Sequence, residues 1–329
     1  MPASDLNVSQ SQRILLLGAT GTIGQATLSE LTARGHNVVC FIRPQTDASK
    51  IAEFPDRVTL RYGEITDKPA LAEHGFCGER FDAVVSCLAS RTGVSKDPWA
   101  LDYQAHADAL ELANHAGIRQ FVLLSALCVQ RPKLAFQHAK LAFEEALIKS
   151  GVTYSIVRPT AFFKSLSGQV ERVKAGKSYL MFGDGELTAC KPISDQDLAA
   201  YLADCLEQSD LQNKILPIGG PGPAITPREQ GEYLFSLLGE PPRLQRVPPA
   251  MLKWIGRILG GVAKVFPPLA ARAEYARIGH YYATESMLVL DPETQSYRAD
   301  LTPSTGSQTL FDHYRDLLET AHGDGSAKA

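Results

Sequence analysis

The stretch "RILLLGATGTIGQATLSELTARG" limits what this chain can fold into more than any other part of it. A short apolar run enters a turn with glycines at 18, 21 and 24, and apolar residues at helical spacing then continue to Gly35. The order is strand, tight loop, helix. Gly18 suits the turn, Gly21 lets a ligand approach the backbone, and Gly24 lets the helix lie close against the strand. Thr20, Thr22 and Ile23 complete a loop whose helix N-terminus offers free N–H groups to phosphates. A plain turn is the competing reading. The position directly after "ILLL" and directly before a helix favours a dinucleotide loop.

The same alternation continues. "HNVVCFIRP", "VTLRYGEITD", "FDAVVSCLAS", "QFVLLSALC" and "TYSIVRPT" read as five further strands, with helical stretches such as "DYQAHADALELANHAG" and "AFQHAKLAFEEALIKSG" between most of them. Strands alternating with helices predict an α/β fold with a doubly wound parallel sheet of the Rossmann type. After Pro159 the elements shorten and Pro and Gly increase, which predicts a smaller C-terminal lobe over 161–320, interleaved with returns to the sheet. Residues 13–160 form the dinucleotide-binding part, 1–12 a flexible start and 321–329 a disordered tail. "SDQD" at Ser194 and "TPRE" at Thr226 read as helix caps, which explains them without chemistry.

Composition narrows the partners. With 33 Lys plus Arg against 36 Asp plus Glu, the net charge of −3 gives no basic excess for nucleic acid, so the expected partner is a small molecule. Six scattered cysteines without a C-x-x-C pair read as reduced core residues, which fits a cytoplasmic protein and no metal. The polar first twelve residues have no signal core, and no apolar run is long enough to span a bilayer.

The second strand ends in "CFIRP", where an NAD enzyme usually carries an acidic residue for the ribose hydroxyls. Arg43 stands there instead and can pair with a 2′-phosphate, so NADPH is the expected cofactor; a solvated strand-end charge is the alternative. Asp67, read as ending the third strand, either meets the adenine or caps the next helix. Cys87, Leu88 and Ala89 end the fourth strand, where small residues let a dinucleotide pass, although Cys87 and Leu88 also fit a core.

"VVSCLASRTGVSKDPWALDY", "FVLLSALCVQRP", "FQHAKLAFE", "YSIVRPTAFFKSLSGQVE", "MFGDGELTACKPISDQDLAAYLADC", "ILPIGGPGPAITPREQGE" and "ESMLVLDPET" together resemble the NADPH-dependent divinyl chlorophyllide a 8-vinyl-reductases, which are atypical, NmrA-like short-chain reductases. The resemblance runs from Arg13 to about Leu318. It implies reduction of the 8-vinyl group of divinyl chlorophyllide a, or of a divinyl protochlorophyllide-type precursor, to ethyl, with a tetrapyrrole as substrate. Plant relatives carry a transit segment that this sequence has no room for, which points to the cytoplasm of a phototrophic bacterium. Oligomeric state is not legible.

Within this resemblance Lys140 occupies the catalytic lysine position of short-chain reductases, while Phe136 replaces their tyrosine. A conjugated vinyl explains the change: hydride addition leaves a carbanion that the macrocycle delocalises, so a phenolic donor is less needed than for a ketone. Lys140 would orient the cofactor ribose and relay a proton; the alternative is a surface lysine paired with Glu144. Ser125 holds the usual serine position, and Pro159 and Thr160 resemble the loop over the nicotinamide. Phe136 would form an apolar wall for the pigment, and Phe162 and Phe163 would stack on it or serve as core. "PAMLKWIGRILGGVAKVF" is amphipathic and basic, a membrane-surface or lid helix in one reading and a core-facing helix in the other; the second is the more ordinary. An NADPH-binding sensor or non-catalytic subunit is the competing function.

Overall fold

A computed structural model describes residues 11–47, 49, 51, 56–90, 96–263, 266 and 268–323. The flexible start and disordered tail expected from sequence therefore fall mostly outside the described residues. The strands are β1 (Arg13–Leu17), β2 (Asn37–Ile42), β3 (Val58–Tyr62), β4 (Ala83–Ser86), β5 (Gln120–Leu124), β6 (Thr153–Pro159), β7 (Tyr179–Phe182), β8 (Lys214–Ile218) and β9 (Leu244–Val247). The longer helices are α1 (Thr22–Ala33), α2 (His106–His115), α3 (Ala135–Lys149), α4 (Asp195–Glu207), α5 (Pro227–Leu237), α6 (Pro249–Val262), α7 (Leu269–Thr284) and α8 (Leu310–Gly323).

Seven strands pair in the order β3-β2-β1-β4-β5-β6-β8, all parallel. The central strand shows why its sequence is uniformly apolar. Ile14 and Leu16 point into one core with α1 and α4, whereas Leu15 and Leu17 point into another with α2 and α3, so both faces are covered. Strand order reverses between β1 and β4, and this opens a crevice beyond their C-terminal ends.

The seventh strand, β8, and the helix α4 come from beyond residue 160, as the expected returns to the sheet require. The smaller lobe has its own core around Tyr179, Phe235 and Tyr314, with β7 and β9 paired parallel beneath α5 and α8. Both caps form: Ser194 Oγ accepts from Asp197 N at 3.0 Å, and Glu229 accepts from Thr226 N at 2.7 Å in a full capping box.

Three expectations need correction. β3 stops at Tyr62, so Asp67 lies beyond the strand rather than at its end. α8 runs to Gly323, past residue 321, at which the tail was to begin. The basic amphipathic stretch is not a core-facing helix: of α6 only Gly256 is buried, while Trp254, Ile258 and Phe266 are about 60% exposed. α6 packs on α7 through a glycine, where an added Cβ would lie 3.3 Å from Arg277 Cγ, and leaves Met251, Trp254, Ile255 and Ile258 exposed.

Candidate active site

The glycine loop sits at the crevice, and its three glycines do different work. Gly18 has a φ of +83°, and a Cβ there would lie 2.7 Å from the Cys87 carbonyl carbon. A Cβ at Gly24 would lie 2.1 Å from Gly18 O, so only glycine lets α1 start against β1. At Gly21 a Cβ would meet nothing nearer than Gly18 O at 3.5 Å: the space there is open, and a phosphate fits where a side chain would project. The first turn of α1 carries no acidic residue to compete for its free N–H groups. Ile23 adds its side chain to the core, and Thr20 offers its carbonyl to Gln25 at 3.1 Å, so both serve the loop through backbone. Thr22 Oγ1 accepts from Lys164 Nζ at 2.9 Å. Lys164, which sequence reasoning passed over, thus places an ammonium beside the phosphate loop.

Arg43 follows β2 directly and is exposed. Asp67 takes the capping role, accepting from Ala70 N at 3.2 Å. At the end of β4, Cys87 N continues the ladder to Leu17 O at 2.8 Å, Leu88 packs on the second core, and Ala89 is exposed. Burial pushes the Cys87 thiol up to about 12, which leaves it unreactive.

Lys140 is buried on α3, and its partner is not Glu144. Its Nζ lies 3.1 Å from Asp102 Oδ1, with the two side chains 9% and 1% exposed. Asp102 also accepts from Ser90 N, at 3.4 Å, and so ties the β4 loop to the lysine. One turn on, His106 Nδ1 faces Leu101 O at 2.9 Å and must donate to it, so Nε2 accepts from the Ser86 hydroxyl at 2.8 Å. Burial, reinforced by the Lys140 charge, lowers His106 to about 4 and keeps it neutral. Neither Asp102 nor His106 was singled out from sequence. The available signal was two polar residues four apart on the same face as Ala105, Ala109 and Ala113, which are all buried.

Glu144 belongs to another pair. It binds Arg158 and accepts from the hydroxyl of Ser125, the residue that follows β5. The Ser125 hydrogen is therefore committed, although its oxygen keeps lone pairs for a ligand. Pro159 ends β6, and Thr160 donates from its hydroxyl to Lys191 O and from its N–H to Ile218 O, which fixes this loop to β8.

Among the aromatic candidates, Phe136 is half-buried against the lobe core, and Phe162 is half-buried against the core under α4. Phe163 corrects an expectation: it is 3% exposed inside the lobe, with its ring centroid 5.3 Å from that of His313, and offers no face to a pigment. In "FQHAK" the glutamine is structural, because Gln137 Oε1 accepts from Lys133 N and Leu134 N at 2.7 and 2.9 Å and holds the start of α3. A cavity of about 470 Å³ lined by Phe76, His115 and Gly117 adjoins the N-terminal end of β5, away from these residues.

A family described as NAD(P)H-binding matches residues 18–209. Over 93% of its length the chain is 49% identical to the chloroplastic divinyl chlorophyllide a 8-vinyl-reductase of Cucumis sativus, of which it covers 76%. It is 50% identical to the protein of that name from Oryza sativa subsp. indica, again over 93% of its own length and 78% of the relative's. The chain belongs to the divinyl chlorophyllide a 8-vinyl-reductase family. Among solved structures, the NADPH-dependent quinone oxidoreductase QOR2 of Escherichia coli, complexed with NADPH, aligns with a TM-score of 0.66 over 93% of this chain and 99% of its own. At 17% identity that likeness shows the shared fold alone.

Proposed function

We propose that this protein reduces the 8-vinyl group of divinyl chlorophyllide a to ethyl with NADPH. The observation that carries the reading is near-half identity to 8-vinyl-reductases across both the sheet and the smaller lobe, which a protein keeping only the cofactor fold would not need. The residues present fit the cofactor: open space at Gly21, free N–H groups at the start of α1, Lys164 beside them and Arg43 for a 2′-phosphate.

Bound NADPH supplies the hydride. The chain's task is to orient and to handle one proton, since a vinyl group becomes ethyl by gaining one hydride and one proton. Lys140, held by Asp102 at the crevice, orients the cofactor ribose and supports the proton's delivery. Negative charge left on the substrate spreads into the macrocycle, so apolar Phe136 in place of a tyrosine costs little. Phe162 remains the aromatic candidate for pigment contact.

The exposed face of α6 supports peripheral contact with an anionic lipid surface, where so apolar a substrate partitions. Met251, Trp254, Ile255 and Ile258 are exposed beside Lys253 and Arg257, and no helix among the described residues is long and apolar enough to cross a membrane. Purified protein given divinyl chlorophyllide a and NADPH should shift the pigment's Soret band with one NADPH consumed per pigment. Tight NADPH binding without turnover would instead favour a non-catalytic NADPH-binding protein.

A further inference from the structure

A second cavity, of about 210 Å³, lies between α6, α7 and the start of α3. Lys133, Lys253, Arg257, Arg277, His280 and Tyr281 line it, an unusual concentration of positive charge in a protein whose net charge is −3. Part of that charge is neutralised: Glu285 pairs with Lys133 and Arg131, and Glu274 pairs with Arg277 at 3.1 Å. Among the described residues Lys253 and Arg257 have no carboxylate partner, and Arg257 rests on the Trp254 ring at 5.6 Å. His280 responds to the excess: burial, then the charges of Lys253 and Lys133, lower its basicity despite Glu285. Leu134, at the start of α3, also lines the cavity, so the positive end of that helix dipole adds to the field. Such a cavity is built for an anion.

Its position relative to the chemistry narrows which anion. Lys140 lies on the same helix, six residues beyond Leu134, or about 9 Å at 1.5 Å per residue. Tyr281 donates to Cys128 O at 2.7 Å and Arg131 O at 3.1 Å, in the loop that runs from Ser125 to α3. The cavity is thus tied rigidly to the catalytic edge. A chlorophyllide is a rigid macrocycle that carries one unesterified propionate across the ring from the 8-vinyl group. Resting on the substrate proposed above, we infer that this cavity binds the substrate's free carboxylate, with Lys253 and Arg257 as its principal partners. Fixing one edge of a rigid ring aims the opposite edge at the cofactor. Phosphate of an anionic lipid has related chemistry and is separated by the test.

The test compares divinyl chlorophyllide a with its methyl ester, using wild type and the Lys253→Ala/Arg257→Ala double variant, whose altered side chains are exposed. Turnover with saturating NADPH gives KM and kcat, and pigment fluorescence quenching by NADP⁺-loaded protein gives affinity independently of turnover. In wild type the ester should bind about tenfold more weakly than the acid, equivalent to ~1.4 kcal/mol. The variant should lose about that factor in affinity for the acid and nothing for the ester, and kcat for the acid should fall toward that of the ester as the vinyl edge loses its aim, while kcat for the ester stays at its wild-type value. Equal losses for acid and ester, or no loss, overturn the assignment. So does a variant that keeps the acid-to-ester ratio but no longer floats with phosphatidylglycerol vesicles, since the cavity then serves lipid. If wild type binds but reduces neither pigment, the proposed reaction falls, while the acid-to-ester affinity ratio still decides the cavity.

Discussion

Asp102→Ala breaks the Asp102–Lys140 pair, the more deeply buried of the two buried ion pairs formed by α3. Asp102 and Lys140 are both almost fully out of solvent, so removing the carboxylate leaves an ammonium desolvated and unpaired and takes the acceptor from Ser90 N. Breaking a buried pair from one side costs ~3–5 kcal/mol. In a chain of this size that lowers Tm by roughly 4–7 °C. Lys140→Met should cost a comparable amount, because the carboxylate is then the stranded charge. The double variant removes both charges and should recover a coupling energy of ~2–3 kcal/mol. Thermal and urea melts followed by circular dichroism measure all four proteins, and turnover should fall at least about tenfold in each variant. Effects on stability that add to within ~0.5 kcal/mol would refute the pairing.

The glycine loop offers a sharper contrast. Gly24→Ala should destabilise by a few kcal/mol, because its Cβ meets backbone at 2.1 Å, whereas Gly21→Ala should melt near wild type and lose NADPH affinity by about tenfold or more, read by fluorescence titration. Arg43→Ala should weaken NADPH by roughly tenfold and leave NADH binding unchanged; equal loss of both would remove the 2′-phosphate from its role. His106 is held near 4 against about 6.5 when unfolded, so the unfolded chain binds the extra proton first as pH falls. Its stabilising share is whole above about pH 6.5 and drains by ~3 kcal/mol toward pH 4. His106→Gln should flatten stability against pH across that window in urea melts.

Much of the cofactor half was legible in one dimension, because its determinants are local. Gly18, Gly21 and Gly24 act through their own turn, continuous apolar strands report burial on both faces, and capping motifs such as Thr226 to Glu229 close within one helical turn. Lys140 was singled out through the resemblance to short-chain reductases, and the competing reading, a surface lysine paired with Glu144 at helical spacing, does not hold. That spacing describes neighbours on an exposed surface, and here the two residues serve separate buried pairs, with Asp102 and with Arg158. Phe163 was misread for a similar reason: an aromatic beside a site and an aromatic beneath it share one sequence signature, and only packing separates them.

The sequence by itself determined the strand-loop-helix start, the parallel α/β class and the family, since each rests on contacts short in sequence or on residues compared one by one. Tertiary structure alone decided which charges meet. Asp102 and Lys140 are brought together by the sheet order, Lys164 reaches Thr22 from across the chain, and the basic cavity forms where two helices of the smaller lobe close on the start of α3. The physical reason is that an ion pair or a charged cavity depends on distance and burial, and neither is fixed until distant segments pack.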